Sequence, residues 1–257
     1  MATALITGAS VGLGKDFADI FAKAGYDLIL VARSKDKLDE IANDIKSKYA
    51  KRVTVIAKDL SQVGAANELW KAITKQKLEV DCLVNNAGFG SNGEFLESTF
   101  EKESSMIQLN VNFLVELTYL VAKKMKEKKS GEILNVASSA AFQPGPFMSN
   151  YYATKAYVLS FSEGISEELA PYGITVSVLC PGPTKTDFFK NAEMQDTNLA
   201  KNSFLVMESY KVAQIGYTAL KSKQTVKIAG SLNFLMAQSI RLSPRYLVRK
   251  LVKFINQ

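Results

Sequence analysis

Tyr151 and Lys155, in Tyr151-Tyr152-Ala153-Thr154-Lys155, with Ser138 upstream, are the side chains of this chain best suited to moving a proton. Reducing a carbonyl needs a hydride donor on one face and a proton donor at the oxygen, with groups that stabilise the developing alkoxide. A phenol works as that acid near neutrality only if its ordinary pKa of about 10 is lowered. A lysine one helical turn further on shares the tyrosine's face and supplies positive charge. The chain has no histidine. Ser-His-Asp hydrolysis, Cys-His chemistry and histidine-ligated metals are therefore excluded, and no metal site is expected. Cys82 and Cys180 lie in apolar runs and read as buried reduced thiols. Tyr-x-x-x-Lys alone arises often by chance in a lysine-rich chain, so its weight depends on the elements around it.

Those elements alternate. Apolar runs of strand length at 4–7, 27–32, 53–57, 82–85, 132–136, 175–179 and 225–229 are separated by longer amphipathic stretches. Leu28-Ile29-Leu30-Val31 is apolar on both faces, which implies a parallel sheet covered on each side. Right-handed crossovers then give an α/β, doubly wound, Rossmann-like fold, here a single domain over 1–257. The run ending at Val136 places Ser138 at a strand's C-terminal end, the edge where such sheets meet ligand. A long polar connection over 184–207, carrying Phe188, Phe189 and Phe204, reads as a lid.

The first strand runs into Thr7-Gly8-Ala9-Ser10-Val11-Gly12-Leu13-Gly14 and then a helix. Glycines there let backbone N–H groups at the helix N-terminus approach a pyrophosphate with no Cβ in the way. The spacing, G-x-x-x-G-x-G, differs from the commonest dinucleotide fingerprint, and a glycine-rich turn without ligand is the competing reading. After the second strand a carboxylate would bind the ribose 2′-hydroxyl of NAD. Here Arg33 is followed by Ser34, Lys35 and Lys37, which suits a 2′-phosphate and favours NADP(H) over NAD(H). Asp59, after the third strand, reads either as an acceptor for the adenine amino group or as a helix cap.

Taken jointly, these motifs resemble the short-chain dehydrogenase/reductase family. Asn85-Asn86-Ala87-Gly88, Asn110 in Leu109-Asn110-Val111, and Pro181-Gly182-Pro183-Thr184 match that family's marks in order, over roughly residues 3 to 230. The resemblance implies that Tyr151 transfers the proton, Ser138 bonds the substrate oxygen, Lys155 lowers the tyrosine pKa and binds the nicotinamide ribose, and Asn110 positions a water in the proton relay. It further implies a cofactor site formed by Gly8, Ser10, Gly12, Leu13, Gly14, Arg33, Asp59, Leu60, Asn86, Ala87, Gly88, Pro181, Gly182, Thr184 and Thr186, beside Tyr151 and Lys155. Tyr152 and Ser139 are the neighbouring decoys, set aside by the relation to Lys155 and by the family's serine–tyrosine spacing. One departure matters: NADP-preferring members often carry a basic residue before the second glycine, where this chain has Val11.

The implied function is an NADP(H)-dependent oxidoreductase acting on a carbonyl or secondary alcohol. A cofactor-binding sensor or scaffold with little turnover is the alternative, disfavoured because cofactor binding alone requires neither Ser138 nor the tyrosine hydroxyl. Phe142, Pro144, Phe147, Tyr152, Phe188 and Phe189 predict an apolar, aromatic-lined cleft for a hydrophobic small molecule. The net charge of +7 could attract nucleic acid, anionic lipid or a small polyanion; because no basic block interleaved with aromatics stands out before the last fifteen residues, a phosphorylated small molecule ranks first and nucleic acid is not expected. Apolar runs well short of about 20 residues and structure beginning at Leu5 lead to an expectation of a soluble, cytoplasmic protein. The tail, 233–257, is basic and amphipathic: after Ser243-Pro244, a predicted cap and first helical residue, Leu247, Val248, Leu251, Val252 and Ile255 recur at helical spacing. Packing on its own domain or on another subunit of a homo-oligomer ranks first for that stripe, and contact with an anionic membrane second.

Overall fold

The computed structural model describes residues 2–194, 197–198 and 206–257. Strands β1 (Thr3–Thr7), β2 (Asp27–Ala32), β3 (Val53–Ala57), β4 (Cys82–Asn85), β5 (Gly131–Val136), β6 (Ile174–Cys180) and β9 (Val226–Ile228) form one parallel sheet in the order β3-β2-β1-β4-β5-β6-β9. Helices α1 (Gly12–Lys23), α2 (Lys35–Tyr49), α3 (Ala65–Lys75) and α6 (Ser149–Leu169) follow β1, β2, β3 and β5, and α8 (Ser209–Lys221) precedes β9.

Strand periodicity divides the core. Ile6, Leu28, Leu30, Val84 and Leu134 point to one face, against Phe17 and Phe21 of α1, Leu38 and Ile45 of α2, and Val212 of α8. Their neighbours Leu5, Ile29, Val31, Leu83 and Ile133 point to the other, against Leu69 and Ile73 of α3 and Leu117 and Val121. Both faces are dry, so these strands read as unbroken apolar runs. The strand order reverses between β1 and β4, and the loops leaving those strands flank the crevice where a doubly wound sheet binds ligand.

Residues Phe100 to Lys128 form a continuous helix: α4 (Phe100–Ile107), a π-helical turn at Gln108–Phe113, and α5 (Leu114–Lys128). By length and composition alone this helix could cross a membrane, contrary to the reading that no segment approached that length. Its inner face, with Phe113, Leu117, Val121 and Met125, is buried on the sheet and belongs to the core.

The predicted lid is tied at both ends, because β7 (Thr184–Lys185) pairs with β8 (Met207–Glu208). Within it α7 (Phe188–Asn191) forms one short turn. Phe204, expected in the lid, lies outside the described residues. The tail comprises α9 (Ser231–Leu242) and α10 (Arg245–Asn256). Ser243 does not cap α10 as expected; its hydroxyl donates to the Ser239 carbonyl instead, at 2.8 Å.

Candidate active site

Ser138 stands just beyond β5, and Tyr151 and Lys155 are one turn apart on the buried side of α6. The Ser138 side chain lies close enough to the Tyr151 hydroxyl to lower its pKa, and its Oγ accepts from Ala140 N at 3.1 Å. Lys155 Nζ donates to the Val136 carbonyl at 2.9 Å and lies 5.8 Å from the centre of the Tyr151 ring. Tyr152, the neighbouring decoy, sends its hydroxyl to Asn256 Oδ1 at 3.2 Å. The structure thus gives the serine to Tyr151 alone.

The electrostatics differ from the sequence expectation. Burial pushes the Tyr151 hydroxyl well above its ordinary value, and the Ser138 side chain pulls it partway back. Burial also lowers the Lys155 ammonium to about 8.

A stability prediction follows for Lys155. Its folded pKa lies below the unfolded value of 10.5, so between the two the unfolded chain binds more protons and stability rises with pH. Below about 8 the full penalty remains; above 10.5 it is gone. Lys155→Met is expected to raise stability at pH 7 by up to roughly 3 kcal/mol and to flatten the rise between pH 8 and 10. Thermal melts across that range check this, and a lower melting temperature for Lys155→Met at pH 7 would refute it.

Asn110 sits on the π-helical turn, an irregularity often found at functional sites. Its Nδ2 donates to the Phe89 carbonyl (2.9 Å) and to Thr154 Oγ1 (3.1 Å), and its Oδ1 accepts from Phe89 N. Thr154 Oγ1 in turn donates to the Tyr151 carbonyl at 2.7 Å. The amide therefore ties the loop after β4 to the turn of α6 that carries the tyrosine. Thr154 escaped the sequence reading, since one hydroxyl between two decisive residues carries no signal of its own.

The residues implied for a dinucleotide surround the crevice between β1 and β4. Gly8 and Gly12 have φ of +66° and +52°, where side chains are strained. A Cβ on Gly12 would lie 2.9 Å from Thr186 Cγ2, and one on Gly8 2.9 Å from Ala87 Cα. The first turn of α1 has no side-chain cap and no acidic residue, so its N–H groups suit an anion. Thr7 Oγ1 accepts from the N–H groups of Asn86 and Ala87, and Asn86 Nδ2 donates to the carbonyls of Thr7 and Gly8, holding the two loops together. Thr7 was read only as part of the turn. Gly88 borders both Asn110 and Lys155. The Pro181 carbonyl accepts from Ser139 N at 2.7 Å, which fixes the loop of Gly182 and Thr184 beside the Ser138 turn. A buried ammonium with two N–H groups beyond its Val136 bond, together with this glycine cradle, fits a nicotinamide dinucleotide.

Arg33 is exposed at the end of β2, close enough to Asp59 for its charge to act on that carboxylate. Asp59 is held below the ordinary range mainly by hydrogen bonds from Ser61, and it caps that turn, whereas α3 begins only at Ala65 after Gly64. The Leu60 side chain is packed in the core, so only its main chain is available to a nucleotide. Ser10 and Leu13 are half-buried on the turn.

A cleft of about 340 Å³, lined by Ser91, Asn92, Phe147, Met148, Asn150 and Glu193, reaches Tyr151. Phe188 lies 5.3 Å from the Tyr151 ring and 6.4 Å from that of Phe189. Phe142 does not join them; it packs with Leu114, Val158 and Ala237 and lines a separate depression of about 570 Å³ beside β9. The tail, in which no site residue was expected, reaches the cleft. Asn256 Nδ2 donates to the Pro146 carbonyl, its carbonyl accepts from Asn92 Nδ2, and Val248 and Val252 pack with Tyr152 and Met148. Nothing in the sequence marks Asn256 except its place on the Val248–Val252 stripe.

The short chain dehydrogenase family model matches residues 2–197. The chain is 33% identical over 216 residues to 17-beta-hydroxysteroid dehydrogenase type 3 of Mus musculus, covering 83% of this chain and 69% of that protein. It is 34% identical over 182 residues to very-long-chain 3-oxoacyl-CoA reductase-A of Danio rerio, covering 69% of this chain and 56% of that protein, so it matches little more than half of that relative's length. Among solved structures, a short-chain dehydrogenase from Sphingobium yanoikuyae in complex with NADPH is 31% identical, with a TM-score of 0.84 and 94% of each chain covered.

Proposed function

Because this chain belongs to the short-chain dehydrogenase family of nicotinamide-dependent oxidoreductases, we propose that it interconverts a bulky hydrophobic ketone and its secondary alcohol with NADP(H). The observation that carries this reading is the placing of Ser138 beside the Tyr151 hydroxyl, on the wall of a cleft, with the Lys155 ammonium buried one helical turn further along α6.

A nicotinamide held in this crevice would supply the hydride in reduction and take it up in oxidation. The Ser138 and Tyr151 hydroxyls converge on the substrate oxygen, and as negative charge develops there Tyr151 releases its proton to it. Lys155 holds a ribose hydroxyl with the N–H groups left after the Val136 bond and keeps positive charge near the phenol. Asn110 braces the Phe89 loop and α6 through its side chain, so any water it orders in a proton relay is left to its main chain. Phe188, Phe189 and Met148 keep bulk water from the exchange. Arg33 pairs with the 2′-phosphate, a reading that agrees with the NADPH complex of the Sphingobium relative.

The substrate class is favoured by the apolar side chains packed around Tyr151, namely Met148, Phe188 and Phe189, and by the relatives' names, a steroid dehydrogenase and a long-chain acyl reductase; the outer cleft is polar instead, with Glu94, Glu97, Lys102, Glu103 and Glu193. NADPH oxidation measured against 3-oxoacyl thioesters of graded length and a set of steroid ketones tests it. Each added methylene that becomes buried should raise kcat/KM about fourfold, from roughly 0.8 kcal/mol per CH₂. A preference for short polar carbonyls would overturn the substrate class, and no turnover with any carbonyl would favour the sensor.

A further inference from the structure

The outer side of α10 is apolar and uncovered. Val248, Val252 and Asn256 are buried against the cleft wall. Leu247, Leu251 and Phe254, at i, i+4 and i+7, form a second stripe about 100° of helical rotation from the first, and they are 57, 60 and 63% exposed. The expectation that the tail's apolar residues pack on their own domain therefore holds for one stripe only. On α9, separated from α10 by Ser243 and Pro244, Leu232, Leu235, Met236 and Leu242 are exposed as well.

The charge around these residues selects the occupant. Between Gly230 and Gln257 the chain carries Arg241, Arg245, Arg249, Lys250 and Lys253 and no acidic side chain. Lys250 and Lys253 also lie over the rings of Tyr246 and Phe147. A second copy seated on this face by two-fold symmetry would bring together two segments that each carry these five cations and no carboxylate, a like-charge approach that disfavours association. An anionic surface with an apolar interior satisfies both features at once: apolar side chains enter the acyl boundary while guanidinium and ammonium groups meet the headgroups.

We propose that α9 and α10 form a docking surface for an anionic phospholipid bilayer, on which the protein rests without spanning it. The experiment is co-sedimentation of the full chain with vesicles of phosphatidylcholine alone and of phosphatidylcholine with phosphatidylserine, at low and high salt. Binding is expected to the anionic vesicles only, weakening as salt screens the headgroups. Arg245→Gln/Arg249→Gln/Lys250→Gln should weaken partitioning about a hundredfold, at roughly fivefold per charge at the surface. Leu247→Asp/Leu251→Asp should abolish it with unchanged melting temperature and NADPH oxidation, both positions being exposed. Equal binding to neutral vesicles, or none to anionic ones, would overturn the proposal. So would a dimer seen by light scattering that Leu247→Asp/Leu251→Asp dissociates, because the face would then belong to a second copy.

Discussion

Tyr151→Phe is expected to lower kcat by about 10²- to 10⁴-fold, the usual contribution of a positioned general acid, while leaving NADPH affinity and the fold close to wild type. The substitution keeps the ring that packs against Phe188 and removes only the hydroxyl beside Ser138. Tyr152→Phe is the matched control. It deletes a hydroxyl bonded to Asn256 and should cost about 1 kcal/mol of stability, with turnover changed no more than a few-fold. Steady-state rates and NADPH titrations on both variants check the assignment. Equal losses in the two, or retained turnover in Tyr151→Phe, would contradict it.

Arg33→Asp is expected to invert the cofactor preference. Replacing a guanidinium by a carboxylate removes charged hydrogen bonds to a 2′-phosphate, worth about 1.5–3 kcal/mol or roughly 10- to 150-fold in affinity, and adds repulsion. The same carboxylate offers an acceptor to a ribose 2′-hydroxyl, so NADH binding should hold or improve. Arg33 is exposed and lies outside the core, so the fold should tolerate the change. Asp59 stays bonded to Ser61 and Gln62 in either case. Titrating both nucleotides against wild type and variant decides the matter; an unchanged ratio would leave Arg33 a surface residue.

The sheet and the residues at its C-terminal edge were legible because each is written locally. Leu28-Ile29-Leu30-Val31 announces a strand buried on both faces, and the glycine turn and the Tyr-x-x-x-Lys spacing are short enough to read directly. What escaped depends on contacts between distant segments. Asn256 reaches Tyr152, Pro146 and Asn92 across more than a hundred residues, and Thr7 ties the first loop to the fourth strand's loop. Phe142 was grouped with the cleft aromatics by proximity in sequence, yet the turn at Ser139–Phe142 carries it to the β9 side. The weight of burial at Tyr151 and Lys155 escaped for a related reason. Spacing shows that two groups share a helix face, while the direction in which each is shifted depends on how completely the folded chain buries it.

The most direct test of the central claim is deuterium transfer from NADPH labelled at the nicotinamide C4. Single turnovers with excess enzyme and a hydrophobic ketone, analysed by mass spectrometry, should yield an alcohol carrying the deuterium on its carbinol carbon, from one C4 face only, and almost none with Tyr151→Phe in the same time. Tight NADPH binding by wild-type protein with no label reaching any ketone, steroid or 3-oxoacyl substrate would contradict the account.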